Sequence, residues 1–194
     1  MAARLFVSLD LPDTVVEALV AWRAPLLRER KELRAVAPQA LHVTLCFLGT
    51  RPEKAIAPLA TLVEACAMGA GGVSGLAFGE QLWLPRRRPR VLAVALEDRH
   101  GQLGSLQEQL VERLAADGWH DPEARGGRDY LPHVTVARVR GRDAVPRAVV
   151  LPTTASGGGR PPAVVFEGAA LTLYRSHLLP DGARYEPLSV SRLA

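Results

Sequence analysis

The 194-residue chain predicts an α+β fold of two pseudo-symmetric lobes, each a largely antiparallel sheet with helices packed outside, enclosing a central groove. Three observations carry this expectation. Strand-like apolar runs alternate with stretches of helical periodicity. The order strand, helix, strand, further strand occurs twice. Each copy also holds one tetrapeptide of the same pattern, His42-Val43-Thr44-Leu45 and His133-Val134-Thr135-Val136. Arg4 to Asp10 precedes the first motif, with 38 residues from Arg4 to His42, and Arg90 to Glu97 precedes the second, with 43 from Arg90 to His133. A further run follows each: Phe78 begins 36 residues after His42, and Phe166 begins 33 after His133. A pseudo-twofold axis between the halves would set the two motif strands face to face across one groove.

Leu5 to Leu9 reads as a buried strand. Pro12 suits the first turn of a helix with an apolar face of Val15, Val16, Leu19, Val20, Leu26 and Leu27. Arg34 to Val36 is a short strand before the motif strand Leu41 to Leu48, which Gly49 is expected to end. Thr50-Arg51-Pro52-Glu53 has the spacing of a capping box, and the helix after it buries Ile56, Leu59, Val63 and Cys66 and finishes near Gly69. Phe78 to Leu84 and Arg90 to Glu97 flank Arg86-Arg87-Arg88-Pro89-Arg90, a basic hairpin loop at the groove rim. Leu103, Leu106, Leu110, Val111 and Leu114 fall at helical spacing, with Gly118 as the stop. Thr153 to Pro162 is rich in Ser, Thr, Gly and Pro and reads as an exposed loop. Ala163 to Tyr174 and Tyr185 to Val190 close the sheet through a turn at Pro180-Asp181-Gly182.

Composition bounds the function. With 48% hydrophobic residues the chain buries a sizeable core, expected as one bilobal domain over residues 1–194. No run of about 18 apolar residues offers a membrane span, and Asp10 interrupts the apolar N-terminus too early for a secretory signal, so the expected location is the cytoplasm. Cys46 and Cys66 neither require a disulfide nor supply a zinc framework. The net charge of +4 is arginine-driven, since Lys31 and Lys54 are the only lysines, and it suits an anionic substrate. No protein partner is evident, and a monomer is expected.

A strand turns alternate side chains to opposite faces, so in each tetrapeptide the histidine and threonine share one face and the apolar pair the other. A lone His-x-Thr is ordinary on a half-solvated strand. Five histidines and eight threonines predict only about 0.2 such triplets by chance, against the two present. Breaking a phosphate ester requires deprotonating a nucleophile on one side of phosphorus and protonating the leaving oxygen on the other. With an ordinary pKa of about 6.5, one imidazole serves as base and its partner as acid near neutral pH. The residues do not say which is which. Thr44 and Thr135, roughly 6 to 7 Å along each strand from the histidine, can donate to the non-bridging phosphate oxygens. This chemistry requires no metal or other cofactor.

At these residues the chain resembles the 2H phosphoesterase superfamily and, within it, the RNA 2′,3′-cyclic phosphodiesterases also known as 2′-5′ RNA ligases. The likeness includes the opening Arg4 to Pro12, Leu41 to Leu45 with Phe47-Leu48-Gly49, and Pro132 to Arg138. Leu171 to Ser176 and Gly182 to Tyr185 also look like the family's ending. The resemblance implies metal-independent hydrolysis of an RNA 2′,3′-cyclic phosphate end to a 2′-phosphomonoester, with reversible 2′-5′ joining in some members, and RNA such as tRNA fragments as partner. It also implies that His42 is the proton donor to the departing 3′-oxygen, that His133 is the base that activates water, and that Thr44 and Thr135 hold the phosphate. Other 2H reactions on small cyclic nucleotides or oligonucleotides, or a non-catalytic RNA-binding module, are the alternatives.

Arg138 matches an arginine that the family carries after its second motif. Strict alternation five residues beyond His133 turns it away from the groove, and a bulge or the strand end is needed to turn it back. Cys46 falls on the His42 face, but four residues along a strand separate them by about 13 Å, too far for a shared ion. Trp83 and Tyr130 could stack on a base but read more readily as packing residues, and with aromatics at 5% base specificity should be weak. His100, His120 and His177 carry no expected role.

Overall fold

A computed structural model describes residues 1–121, 129–141, 159–179 and 182–193. The strands among them are β1 (Ala2–Asp10), β2 (Leu33–Ala35), β3 (His42–Pro52), β4 (Leu76–Leu84), β5 (Val91–Asp98), β6 (His133–Val139), β7 (Val165–Phe166), β8 (Ala170–Leu179) and β9 (Gly182–Arg192). The helices are α1 (Asp13–Glu29), α2 (Ile56–Ala70) and α3 (Gln102–Ala116). Among the described residues, no helix is long and apolar enough to cross a membrane.

The strands join in the order β7-β4-β5-β6-β3-β1-β8-β9, with β2 on β6, and all recorded pairings are antiparallel. The expected pseudo-twofold is visible in that order. Reading outward from the β6–β3 junction, where Val43 pairs with Val134, β6-β5-β4 on one side mirrors β3-β1-β8 on the other. The further strand of each repeat pairs in the opposite lobe: β4 joins β5 and β8 joins β1. This exchange ties the halves into one sheet. A set of buried leucines, among them Leu9, Leu45, Leu92 and Leu171, forms a continuous core with Leu19 of α1, Leu59 of α2 and Leu103, Leu110 and Leu114 of α3. Truncating any one of them to alanine would cost about 2 to 5 kcal/mol.

The helices follow the apolar spacing that predicts them. α2 buries Leu59, Val63 and Cys66 and packs on β8 and β9, while α3 packs on β3 and β5 and touches α2. Gly71 and Gly118, with φ of 61° and 72°, lie just beyond the ends of α2 and α3. On α1 the buried face also includes Arg23, whose guanidinium donates to the Val136 carbonyl at 2.7 Å. Satisfying a carbonyl inside β6 offsets the cost of burying that charge.

Three local readings differ from the sequence expectation. Gly49 does not end the first motif strand. With φ of 72° it lies beside a bulge, and β3 continues to Pro52 because β1 begins at Ala2 and offers Ala2, Ala3 and Arg4 as partners for Pro52, Arg51 and Thr50. The capping box therefore does not form; a 3-10 turn (Glu53–Ala55) leads into α2 instead, and Glu53 pairs with Arg175 at 2.7 Å. The single closing strand expected from Ala163 to Tyr174 is split into β7, on the β4 edge, and β8, on β1. Most of the expected loop, residues 153–158, and residues 180–181 of the expected turn lie outside the described residues.

Candidate active site

The side chains of His42, Thr44, His133, Thr135 and Arg138 line one cavity of about 480 Å³ at the β3–β6 junction. Walls from β1, β2 and β9 complete it with Arg4, Phe6, Arg34 and Tyr185. Alternation along the strands produces this arrangement: Val43 and Val134 are buried beneath the junction, and the residues on either side of each turn into the cavity.

Both imidazoles are held in the same way. The His42 Nδ1–H donates to the Ala40 carbonyl at 2.9 Å, and the His133 Nδ1–H donates to the Leu131 carbonyl at 2.8 Å. Anchoring Nδ1 on a carbonyl two residues upstream fixes the tautomer and leaves Nε2 for chemistry. At β3 the Thr44 hydroxyl lies 3.1 Å from His42 Nε2. No hydrogen bond joins the matching pair on β6 among the described residues.

His42 is also enclosed. Phe6 and Tyr185 lie 5.0 and 5.3 Å from it between ring centroids, and Tyr174 stacks at 6.1 Å. This burial is the main reason its pKa is pushed down to about 4; the Ala40 hydrogen bond opposes the shift, and the charges of Arg138 and His133 add to it. Tyr174 is held by Asp10, which also accepts from Thr172 at 2.6 Å. Burial raises the Asp10 carboxyl above its ordinary value, and burial with the neighbouring carboxylate pushes the Tyr174 phenol up to about 12.

A bulge settles the orientation of Arg138. On β6, Thr135 pairs with Ala93 but Ala137 with Leu92, so Val136 is the extra residue. Both Val136 and Ala137 are buried, alternation restarts, and Arg138 returns to the cavity. Its guanidinium lies 3.5 Å from the Tyr185 hydroxyl. β3 bulges at the equivalent place: Thr44 pairs with Ser8 and Cys46 with Val7, leaving Leu45 extra. Cys46 is thereby turned into the core, not onto the His42 face, and its sulfur lies 3.4 Å from His120 Nδ1. Phe47 takes the outward position, 60% exposed and in the cavity wall.

Phe47 was legible in retrospect, since it follows His42 by the five residues that separate Arg138 from His133. Phe6, Tyr185 and Arg34 carry no local signal; pairing of distant strands brings them in. Trp83 and Tyr130 are packing residues: Arg30 lies over the Trp83 ring, and the Tyr130 hydroxyl donates to the Thr44 carbonyl at 3.3 Å. His100 contacts Ser74 and His177 pairs with Glu186, both away from the cavity. Arg86 to Arg90 forms the loop between β4 and β5, as expected, but does not line the cavity.

Comparison with known proteins identifies the family and the fold. The model of the 2′-5′ RNA ligase superfamily matches residues 11–178. Curated relatives named RNA 2′,3′-cyclic phosphodiesterase include one from Escherichia coli, 31% identical with 95% of this chain and 93% of that protein covered. Another from Archaeoglobus fulgidus is 27% identical, with 96% and 98% covered. Among solved structures, E. coli LigT complexed with 3′-AMP superposes with a TM-score of 0.76 at 27% identity, covering 100% of this chain and 99% of that one. A Thermus thermophilus protein, TT0787, superposes with a TM-score of 0.71 at 28% identity, covering 98% and 97%.

Proposed function

The chain belongs to the 2′-5′ RNA ligase superfamily, and on that premise we propose that it hydrolyses the 2′,3′-cyclic phosphate end of RNA to a 2′-phosphomonoester by general acid-base catalysis between His42 and His133. The observation that carries this reading is the pair of carbonyl-anchored imidazoles whose Nε2 atoms share one cavity with two threonine hydroxyls and an arginine.

In this mechanism His133 Nε2 accepts a proton from water as the water oxygen bonds to phosphorus. His42 Nε2 donates a proton to the 3′-oxygen as the P–O3′ bond breaks. Thr44, Thr135 and Arg138 hold the non-bridging oxygens and stabilise the charge that grows on them. In the 2′-5′ joining reaction, a 5′-hydroxyl replaces water; in its reversal, by microscopic reversibility, the histidines exchange roles.

The lowered pKa of His42 fits this role once substrate is considered. With its protein neighbours alone the imidazole is neutral at pH 7, and the Thr44 hydroxyl donates to its Nε2. A phosphate anion beside Arg138 offsets that cationic charge and favours the imidazolium. Protonation of Nε2 then releases the Thr44 hydroxyl to donate to phosphate, so substrate binding both charges the acid and frees a ligand.

The test is turnover, in chelator, of a short RNA ending in a 2′,3′-cyclic phosphate, with the phosphate position in the product read by phosphorus NMR. A 2′-phosphate product, lost on His42→Ala, is expected. Turnover of a free cyclic mononucleotide alone would replace RNA with a small substrate. Full activity in His42→Ala would overturn the acid-base assignment, and binding without turnover of either would leave a binding module.

A further inference from the structure

Past Arg138 the catalytic groove opens into a second cavity of about 340 Å³. Arg34, Arg138 and Tyr185 form the shared wall, and Gln39 and Arg184 line the far side. Among the described residues, no carboxylate lines either cavity.

The arginines are set against their own electrostatics. β2 pairs with β6 so that Arg34 stands directly opposite Arg138. Like charges at that position repel and destabilise a strand pair. Arg34 has no hydrogen bond or ion pair among the described residues, and neither has Arg184, because the nearby Glu186 carboxylate is taken by His177 and Arg175. Gly182 has φ of 130°, and a Cβ there would stand 2.6 Å from Arg34 Nη2, so the bare glycine lets the β9 main chain close over the guanidinium. An arginine set beside a second arginine and facing an open cavity, with no counter-ion among the described residues, is arranged for an anion from solution.

We propose that this second cavity binds the phosphate one nucleotide 5′ of the reacting end of an RNA strand, through Arg34 and Arg184. The proposal rests on the reading of the first cavity as the cyclic phosphodiesterase site. His42, Thr44, His133, Thr135 and Arg138 are occupied by one phosphate group. Of the remaining cations Arg4 lines the catalytic groove itself, while Arg34 and Arg184 line the second cavity, so a substrate that also engages those two carries a second phosphate, joined to the first through a nucleoside. A cyclic mononucleotide fills the first cavity only.

The experiment compares three substrates on the full chain: a nucleoside 2′,3′-cyclic phosphate, the same compound bearing a 5′-phosphate, and the dinucleotide with the same 3′-terminal nucleotide. The added phosphate is expected to raise kcat/KM about tenfold in the second and third, mainly through KM. Arg184→Ala is expected to erase most of that gain and leave the first substrate unchanged, because Arg184 is exposed and does not line the catalytic groove. Arg34→Ala should erase the gain as well, and Arg34→Lys should restore part of it. Removing Arg184 should also lower the slope of log affinity against log salt by about one for the two longer ligands only. No gain from the added phosphate would overturn the proposal, as would a gain that survives Arg184→Ala or one confined to the dinucleotide. If none of the three substrates turns over, the catalytic reading fails separately. The subsite is then decided by equilibrium binding of the matching 2′-phosphate compounds to the parent chain and to Arg184→Ala.

Discussion

The two motif strands are near copies in backbone and unlike in surroundings. β3 and β6 each anchor an imidazole on a carbonyl two residues upstream, each bulge one residue after the threonine, and each turn the residue after next back into the groove. At that last position β3 presents Phe47 and β6 presents Arg138. The neighbouring strands widen the difference: Phe47 pairs with Phe6 of β1, while Arg138 pairs with Val91 of β5. His42 thus lies among Phe6, Tyr174 and Tyr185, whereas among the described residues no aromatic ring packs on His133. Duplication supplies two like mounts for an imidazole, and the flanking strands make one of them dry.

Removing either mount is the severest way to break the pair. His42→Ala and His133→Ala are each expected to lower kcat by about 10³-fold or more, within or above the range a positioned acid or base supplies. Single-turnover rates with the RNA substrate measure this.

The dryness of His42 predicts a pH effect on stability of its own. Its folded value of about 4 lies below the ordinary imidazole value near 6.5. Between those values the unfolded chain binds a proton that the folded chain refuses. This contribution to stability is therefore full above about pH 6.5, declines as pH falls, and is lost by about pH 4, a change of about 3 kcal/mol. Urea unfolding from pH 4 to 7 should show the decline in the parent chain and in His133→Asn. In His42→Asn it should be nearly absent.

Much of this asymmetry could not be read from the chain alone. The tetrapeptides, their order and the helical faces follow local periodicity, and these positioned both histidines and both threonines. The bulges do not, since nothing in Leu45 or Val136 marks an extra residue. Strict alternation therefore put Cys46 on the His42 face and turned Arg138 away. The rings around His42 come from β1, β8 and β9, and only pairing across the chain reveals them. Likewise the exchange of β4 and β8 between lobes is a property of the assembled sheet and leaves no trace in either repeat.

The Phe47 and Arg138 positions allow a smaller, sharper comparison. Arg138→Ala should lower kcat/KM about 30-fold through the lost charge-assisted phosphate contact. It should also raise the pKa of His42, because one cationic neighbour is removed. The stability decline between pH 6.5 and 4 would become shallower in that variant. Phe47→Leu keeps apolar bulk but removes an exposed ring beside the substrate, and should raise KM about fivefold with kcat unchanged. Equal effects on kcat from both substitutions would mean that the bulged positions serve the same purpose after all.

The mildest comparison lies between the threonines. Thr44 is bonded to His42 Nε2, and among the described residues Thr135 has no such bond to His133, so their hydroxyls are lost with different consequences. Thr135→Val removes a phosphate donor and should lower kcat/KM about tenfold at every pH. Thr44→Val removes the same kind of donor and also the hydroxyl that favours neutral His42. The acid is then charged more readily, which offsets part of the loss. Thr44→Val should therefore be the milder substitution at pH 7 and 8, and the two should converge toward pH 5, where proton supply no longer limits. Parallel kcat/KM profiles for the two valine variants would show that the Thr44 hydroxyl contributes to phosphate binding alone. The proton of His42 would then be set by its aromatic shell and Arg138, without help from its own motif.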